Sequence, residues 1–237
     1  MPRRARAIQG GDVYHVLNRA NGRLRLFRKQ ADFAAFEDIL MQAHDRVPLR
    51  VLGYVFLGNH WHFVVWPKQG HDQQVSEFFR WLTVTHSQRW HAHHGTSGMG
   101  HVYQGRFKSF PVEADDHLLT LLRYVERTPL RAGLAPRAED WRWGSLYRRT
   151  AGTPQERALL AASPVPLGSS WVEHVNQPQT TAETEAHPSQ HRQGPAVWGR
   201  RLVASSCASA GTGAHLPAAR PTEEASECLQ MTPVPFN

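Results

Sequence analysis

Leu49-Arg50-Val51-Leu52-Gly53-Tyr54-Val55-Phe56-Leu57-Gly58-Asn59-His60-Trp61-His62-Phe63-Val64-Val65-Trp66 is the stretch whose pattern decides the fold. Leu49 to Phe56 and His62 to Trp66 are apolar runs rich in β-branched and aromatic residues, interrupted only by Leu57-Gly58-Asn59. Two such runs around a Gly-Asn pair predict two strands joined by a tight turn. In a strand, residues two apart share a face, so His60 and His62 can point one way while Trp61 enters the opposite core.

The flanking sequence alternates with this hairpin. Val13 to Asn18 predicts a strand, followed by a basic, glycine-containing turn over Arg19 to Arg28. Ala31 to Arg46 carries Phe33, Phe36, Ile39, Leu40 and Ala43 at helical spacing, and Pro48 closes that helix. Downstream, Asp72 to His93 predicts a second helix, with Val75, Phe78, Phe79, Leu82, His86 and Trp90 along one stripe. A glycine-rich loop, Gly95 to Gly100, leads to a basic strand over Gln104 to Val112. A third helix is expected from about Asp115 to Arg127, capped by Asp115 or Asp116 and stopping before Pro129. The order β-α-β-β-α-β-α specifies an α+β fold: a ferredoxin-like split βαβ sheet with helices on one face and an extra C-terminal helix that bears Tyr124.

Composition narrows the partners. The 237 residues include 27 Lys+Arg, 20 Asp+Glu, 15 His and 2 Cys. Residues 1–150 hold 22 basic against 13 acidic side chains, a net of +9, whereas residues 151–237 net −2. A polyanion would therefore meet the first part of the chain. Cys207 and Cys228 are too few for a disulfide scaffold or a cysteine-rich zinc site. No apolar run is long enough to span a membrane, and a cytoplasmic location is expected. Beyond Ala161 the periodicity fades into Pro, Ser, Ala, Gly, Thr and Gln, which predicts disorder over the last 50 residues.

Three features can carry chemistry. His60 and His62 can converge on one ion, although a bare His-x-His also occurs as a pair of half-exposed strand histidines. Around the third helix, His117, Thr120, Arg127 and Thr128 fall within about 60° of Tyr124, while Leu118, Leu122 and Val125 face the other way. Tyr124 thus stands in a polar patch with an arginine near, as a nucleophile or as an ordinary surface tyrosine. Tyr103-Gln104-Gly105-Arg106-Phe107-Lys108-Ser109-Phe110 alternates basic and aromatic residues. That pattern suits phosphate contacts and base stacking, and equally an amphipathic strand.

In this order the features resemble the single-tyrosine HUH transposases, in particular the REP-associated tyrosine transposase branch of the IS200-like family. The resemblance rests on Tyr14-His15-Val16-Leu17-Asn18-Arg19, Gly58-Asn59-His60-Trp61-His62, Gly100-His101-Val102-Tyr103-Gln104-Gly105-Arg106-Phe107-Lys108 and Leu122 to Gly133. It implies a divalent-metal-dependent endonuclease and strand-transferase acting on single-stranded or hairpin DNA. Tyr124 would attack a phosphodiester to give a 5′-phosphotyrosine, and His60 and His62 would hold Mg²⁺ or Mn²⁺. Asn59, Arg19, Arg106, Lys108, Arg127 and Arg131 would contact DNA. A homodimer is one of two arrangements such enzymes adopt, monomers being the other.

Two departures accompany the resemblance. The family places Asn or Gln four residues after the tyrosine as a third metal ligand, where this chain has Thr128. A hydroxyl is shorter and a weaker ligand for a hard cation, so weaker metal binding and slower cleavage are expected. The alternative reading is a weakened or inactive domesticated binder of DNA or RNA; a remoter one is a water-using metal-dependent hydrolase. The second departure is the tail. With permitted codons, shifting the reading frame of residues 194–202 and 214–224 by one base spells strings similar to the family's usual ending, the second of them basic. A frameshift in about residues 180–194 is the expectation, with residues 1–150 as catalytic domain, 151–180 as an extension and 181–237 as a disordered tail.

Overall fold

The computed structural model describes residues 8–22 and 24–179. The expectations for Arg23, the tail after residue 180, its shifted frame and its two cysteines lie outside the described residues. The elements follow the order β1 (Val13–Arg19), α1 (Gln30–Arg46), β2 (Arg50–Leu57), β3 (His60–Trp66), α2 (Gln74–His94), β4 (Lys108–Val112) and α3 (Asp116–Arg131). A short 3₁₀ turn (Ala138–Asp140), α4 (Ser145–Ala151), α5 (Pro154–Ala158) and α6 (Trp171–Asn176) come after. The sheet order is β2-β3-β1-β4, antiparallel throughout. This is the α+β arrangement anticipated from the alternation of elements.

Strand parity divides the interior into two layers. Tyr14, Val16, Tyr54, Phe56, Trp61, Phe63 and Val65 point to one face and pack on Phe33, Phe36, Ile39 and Leu40 of α1 and on Val75, Phe78, Phe79 and Leu82 of α2. Val13, Leu52, Val55, Leu57 and Val64 point to the other, under Leu118, Leu121, Leu122 and Val125 of α3. The tyrosine helix thus lies across the face opposite α1 and α2, together with Ala138 of the 3₁₀ turn, Leu146 of α4 and Trp171 and Val175 of α6. It rides closest on β2, where a register shift sits between Val51 and Gly53. A Cβ on Gly53 would meet Leu122 Cδ2 at 2.7 Å, so the absence of a side chain sets that approach.

Three boundaries differ from the sequence expectation. Strand β3 begins at His60 rather than His62, because His60 pairs with Leu57 on one side and Arg19 on the other. Strand β4 begins at Lys108, four residues late: Tyr103 makes only an isolated bridge to Ala20, and the chain between is irregular. Helix α3 runs through Pro129 to Arg131. A proline in the last turn forfeits one helical hydrogen bond, and the end is closed by Ala132 N–H to Thr128 O, Gly133 N–H to Leu130 O and Leu134 N–H to Pro129 O. Gly133, at φ 65°, supplies the left-handed residue that this C-terminus needs.

Segments after α3 hold that helix down. The Glu126 carboxylate, on the sheet side of α3, accepts from Ser145 Oγ at 2.6 Å, Trp171 Nε1 at 2.7 Å and Arg149 Nε at 3.2 Å. Ser145 Oγ also accepts from Tyr54 N–H, which joins α4 to β2. On its outer side, Arg123 donates to the carbonyls of Gln177 and Pro178, and Arg127 to those of Val175 and Asn176. Two arginines one turn apart thereby grip the carbonyl end of α6, where cations are favoured.

Beneath the other face, His86 Nδ1 lies 2.7 Å from Tyr103 Oη, which accepts from Trp61 Nε1 at 3.2 Å. Burial holds His86 neutral, its pKa pushed down to about 3. The unfolded chain takes up that proton near pH 6.5 and the native one does not. The stability His86 contributes is therefore complete above pH 6.5 and falls as pH drops toward 3, by up to about 1.4 kcal/mol per pH unit. Urea unfolding followed from pH 7 to pH 4 should show this loss, and His86→Leu should flatten the profile by about one proton. Glu126→Ala should cost about 3–5 kcal/mol in the same assay at pH 7, because the buried Ser145 and Trp171 donors and the half-buried Arg149 lose their acceptor; a change below about 1 kcal/mol would contradict the network's role.

Candidate active site

The face under α3 is apolar except at one end, where strand register gathers polar groups. Arg19 of β1 stands opposite His60, Leu17 opposite His62, and His15 opposite Val64. On the other side of β1, Leu17 faces Lys108 and His15 faces Phe110. His15, Arg19, His60, His62 and Lys108 therefore share a face, and α3 lays Tyr124 over it. The His60 and His62 rings lie 5.1 Å apart and nearly perpendicular. The Tyr124 ring meets His62 edge-on at 6.1 Å.

Each histidine has its Nδ1 occupied. His60 Nδ1 lies 2.6 Å from Asn59 Oδ1, and His62 Nδ1 lies 2.9 Å from His15 Nε2. A carbonyl oxygen can only accept, so His60 carries its proton on Nδ1 and presents the Nε2 lone pair. Burial, then the nearby Arg19 and Arg131 charges, push the His60 pKa down to about 4. Burial first, then His15, His60 and Arg131, hold His62 well below the ordinary histidine value. Both rings are consequently neutral at pH 7, the form that ligates metals. Two neutral imidazoles on one face could supply two of the ligands of a divalent ion.

Around Tyr124, the Arg131 guanidinium donates to the phenol oxygen at 3.2 Å and its carbon sits 4.8 Å from the ring centroid. Thr128 is buried and its hydroxyl donates to the Tyr124 carbonyl at 2.7 Å, back-bonded within its own helix.

The remaining sequence candidates divide. Lys108 is exposed at the start of β4, and Arg106 is exposed in the loop before it. Asn59, expected at DNA, is bonded to His60. Arg127, also expected at DNA, has its guanidinium on the α6 carbonyls instead. His15 was not singled out as a site residue. Its parity with Arg19 in β1 was the signal that could have found it. Among the described residues, Glu113, Asp115 and His117 also bring three ligand atoms within 4.8 Å. All three are exposed, and Asp115 accepts from the His117 N–H and faces its Nδ1, the bonds of a helix N-cap.

Among the described residues no helix is long and apolar enough to cross a membrane. No curated protein matches the chain. Among solved structures, one described as the REP-associated tyrosine transposase bound to a REP hairpin is similar at a TM-score of 0.50 and 15% identity, covering 70% of this chain and 92% of that one. A candidate transposase from Deinococcus radiodurans gives a TM-score of 0.37 and 13% identity over 53% of this chain and 96% of its own. Residues 12–128 match the family model described as "Transposase IS200 like". That span runs from the start of β1 to Thr128 and includes His60, His62 and Tyr124, and through it the chain belongs to the IS200-like transposase family.

Proposed function

We propose that this chain cuts and rejoins single-stranded or hairpin DNA through a covalent bond to Tyr124. The observation that carries the reading is the meeting, on one sheet face, of the Tyr124 ring with His62 at 6.1 Å and of its phenol oxygen with Arg131 at 3.2 Å. In the cutting step the Tyr124 oxygen attacks the phosphorus, and the bond from phosphorus to the 3′-oxygen breaks. The phenol proton leaves to water, the departing oxygen takes a proton to become a free 3′-hydroxyl, and a 5′-phosphotyrosine remains. The reverse attack by a 3′-hydroxyl rejoins a strand without an external energy source, because the phosphodiester has been exchanged rather than hydrolysed.

His60 and His62 would hold the divalent ion, which when bound polarises the scissile phosphate. Arg131 offsets charge on the attacking oxygen. Arg19, Arg106 and Lys108 offer cations to flanking phosphates from the same end of the sheet. Because His62 and Tyr124 of one chain already lie together, the geometry supports cleavage within a single chain. DNA as partner is also in keeping with the hairpin-bound structural relative, and with the basic balance of residues 1–150.

A second reading, a DNA-binding protein with weakened chemistry, is favoured by one observation: Thr128 turns its hydroxyl hydrogen into its own helix. Incubating the protein with Mn²⁺ and end-labelled hairpin DNA decides between them. The catalytic reading predicts protein-linked DNA that Tyr124→Phe abolishes while binding persists; DNA cut without an adduct, or an adduct surviving in Tyr124→Phe, would contradict it. Thr128→Asn should raise cleavage and Mn²⁺ affinity by something of order tenfold, since it restores a carbonyl oxygen one turn after the tyrosine. Equal cleavage rates in the two proteins would show that position 128 does not limit the reaction.

A further inference from the structure

The two proposed metal ligands are restrained by unlike partners. For His60 the partner is the carbonyl of its sequence neighbour Asn59, at 2.6 Å. For His62 it is another imidazole, from a strand 47 residues earlier in sequence, with 2.9 Å between His15 Nε2 and His62 Nδ1. The His15 and His62 centroids are 5.2 Å apart and the ring planes differ by 12°. That separation equals the nitrogen–nitrogen distance plus one ring radius at each end. The rings therefore lie side by side in one plane rather than face to face, which is the geometry of a linear ring-to-ring hydrogen bond. The Phe110 ring, 6.3 Å from His15 and paired with it across the β1–β4 ladder, limits how that imidazole can turn.

A hydrogen bond between two neutral imidazoles has one proton, and its position decides what His62 can do. With the proton on His15 Nε2, His62 accepts at Nδ1 and carries its own proton on Nε2, which blocks that nitrogen as a ligand. With the proton on His62 Nδ1, its Nε2 lone pair is available, as it is in His60. A metal on His62 Nε2 selects the second arrangement, in which His15 is the acceptor.

We propose that His15 is a positioning residue that holds the His62 ring and its Nδ1–H tautomer in register for metal binding, as Asn59 does for His60. The proposal rests on the reading of His60 and His62 as metal ligands. It gives β1 a part in the site that a His-x-His motif alone does not reveal. Outer partners of this kind typically change metal affinity by 10–100-fold when removed.

The test is Mn²⁺ titration of the DNA-free protein, read by the electron paramagnetic resonance of the unbound ion, with melting temperature recorded for each variant. His15→Phe keeps a ring against Phe110 but has no acceptor. His15→Gln keeps one, because Gln Oε1 stands as many bonds from Cβ as His Nε2. The expected result is affinity lowered about 10–100-fold in His15→Phe and restored to within about threefold of the natural chain in His15→Gln. Unchanged affinity in His15→Phe, or an equal loss in both variants, would overturn the positioning role. Should His15→Phe fail to fold, the nitrogen-15 shifts of the natural chain with Mg²⁺ decide. A His62 protonated on Nδ1 supports the proposal, and one protonated on Nε2 overturns it. His62→Ala separates the underlying reading: if it binds Mn²⁺ as the natural chain does, the ligand assignment itself fails, whatever His15 does.

Discussion

Everything at the candidate site depends on the antiparallel pairing of β1 with β3. Once Leu17 stands opposite His62 and Arg19 opposite His60, alternation sends His15, Arg19, His60 and His62 to one face. The same pairing sends Trp61, Phe63, Tyr14 and Val16 to the other, into the layer covered by α1 and α2. A slip of one residue would expose that aromatic layer and bury the polar set beneath helices with nothing to pair it. The large apolar face thus enforces the register, and the polar cluster gains its geometry from a constraint elsewhere in the sheet. Trp61 ties the two directly, because its indole donates to Tyr103 on one side while its neighbours carry the imidazoles on the other.

The tyrosine is positioned by a different means. Helix α3 has only a narrow apolar stripe on the sheet, so further groups anchor it. Glu126 sits wholly buried and takes three donors from α4 and α6, while Arg123 and Arg127 hold the end of α6 from the outer side. A buried carboxylate is favourable only when it is well hydrogen-bonded, and here three donors meet it. Gly53 lets the helix settle close over β2. Tyr124 therefore projects from a helix clamped on both flanks, toward histidines kept neutral by burial. Such buried rings lose stability in acid, and the same neutrality suits them to a cation, so the energetic cost and the proposed chemistry share one cause.

Much of this was legible in the sequence, because the informative signals were periodic. The central hairpin, the stripes of α1 and α2, and the parity of His60 and His62 follow from spacing, and Tyr124 could be placed on the polar side of a helix by angle alone. What spacing could not show was set by contacts between distant segments. Pro129 signals a helix end locally, yet α3 continues because the last turn is closed by later N–H groups. Arg127 reads as a surface cation until α6 supplies carbonyls for it. His15 reads as one more strand residue until β3 is laid beside β1. The late start of β4 has the same origin, since Phe107 is buried while the chain around it makes no ladder.

The chemistry proposed for this fold turns on Tyr124 as the nucleophile toward DNA. The most direct measurement is mass spectrometry of the protein after incubation with Mn²⁺ and a hairpin substrate, with the DNA trimmed by nuclease and the protein cut by trypsin. Cleavage after Arg123 and Arg127 releases Tyr124-Val125-Glu126-Arg127. This peptide is expected to carry a 5′-linked nucleotide phosphate on its tyrosine. Cut DNA with an unmodified peptide, or with the nucleotide attached to another residue, would contradict it.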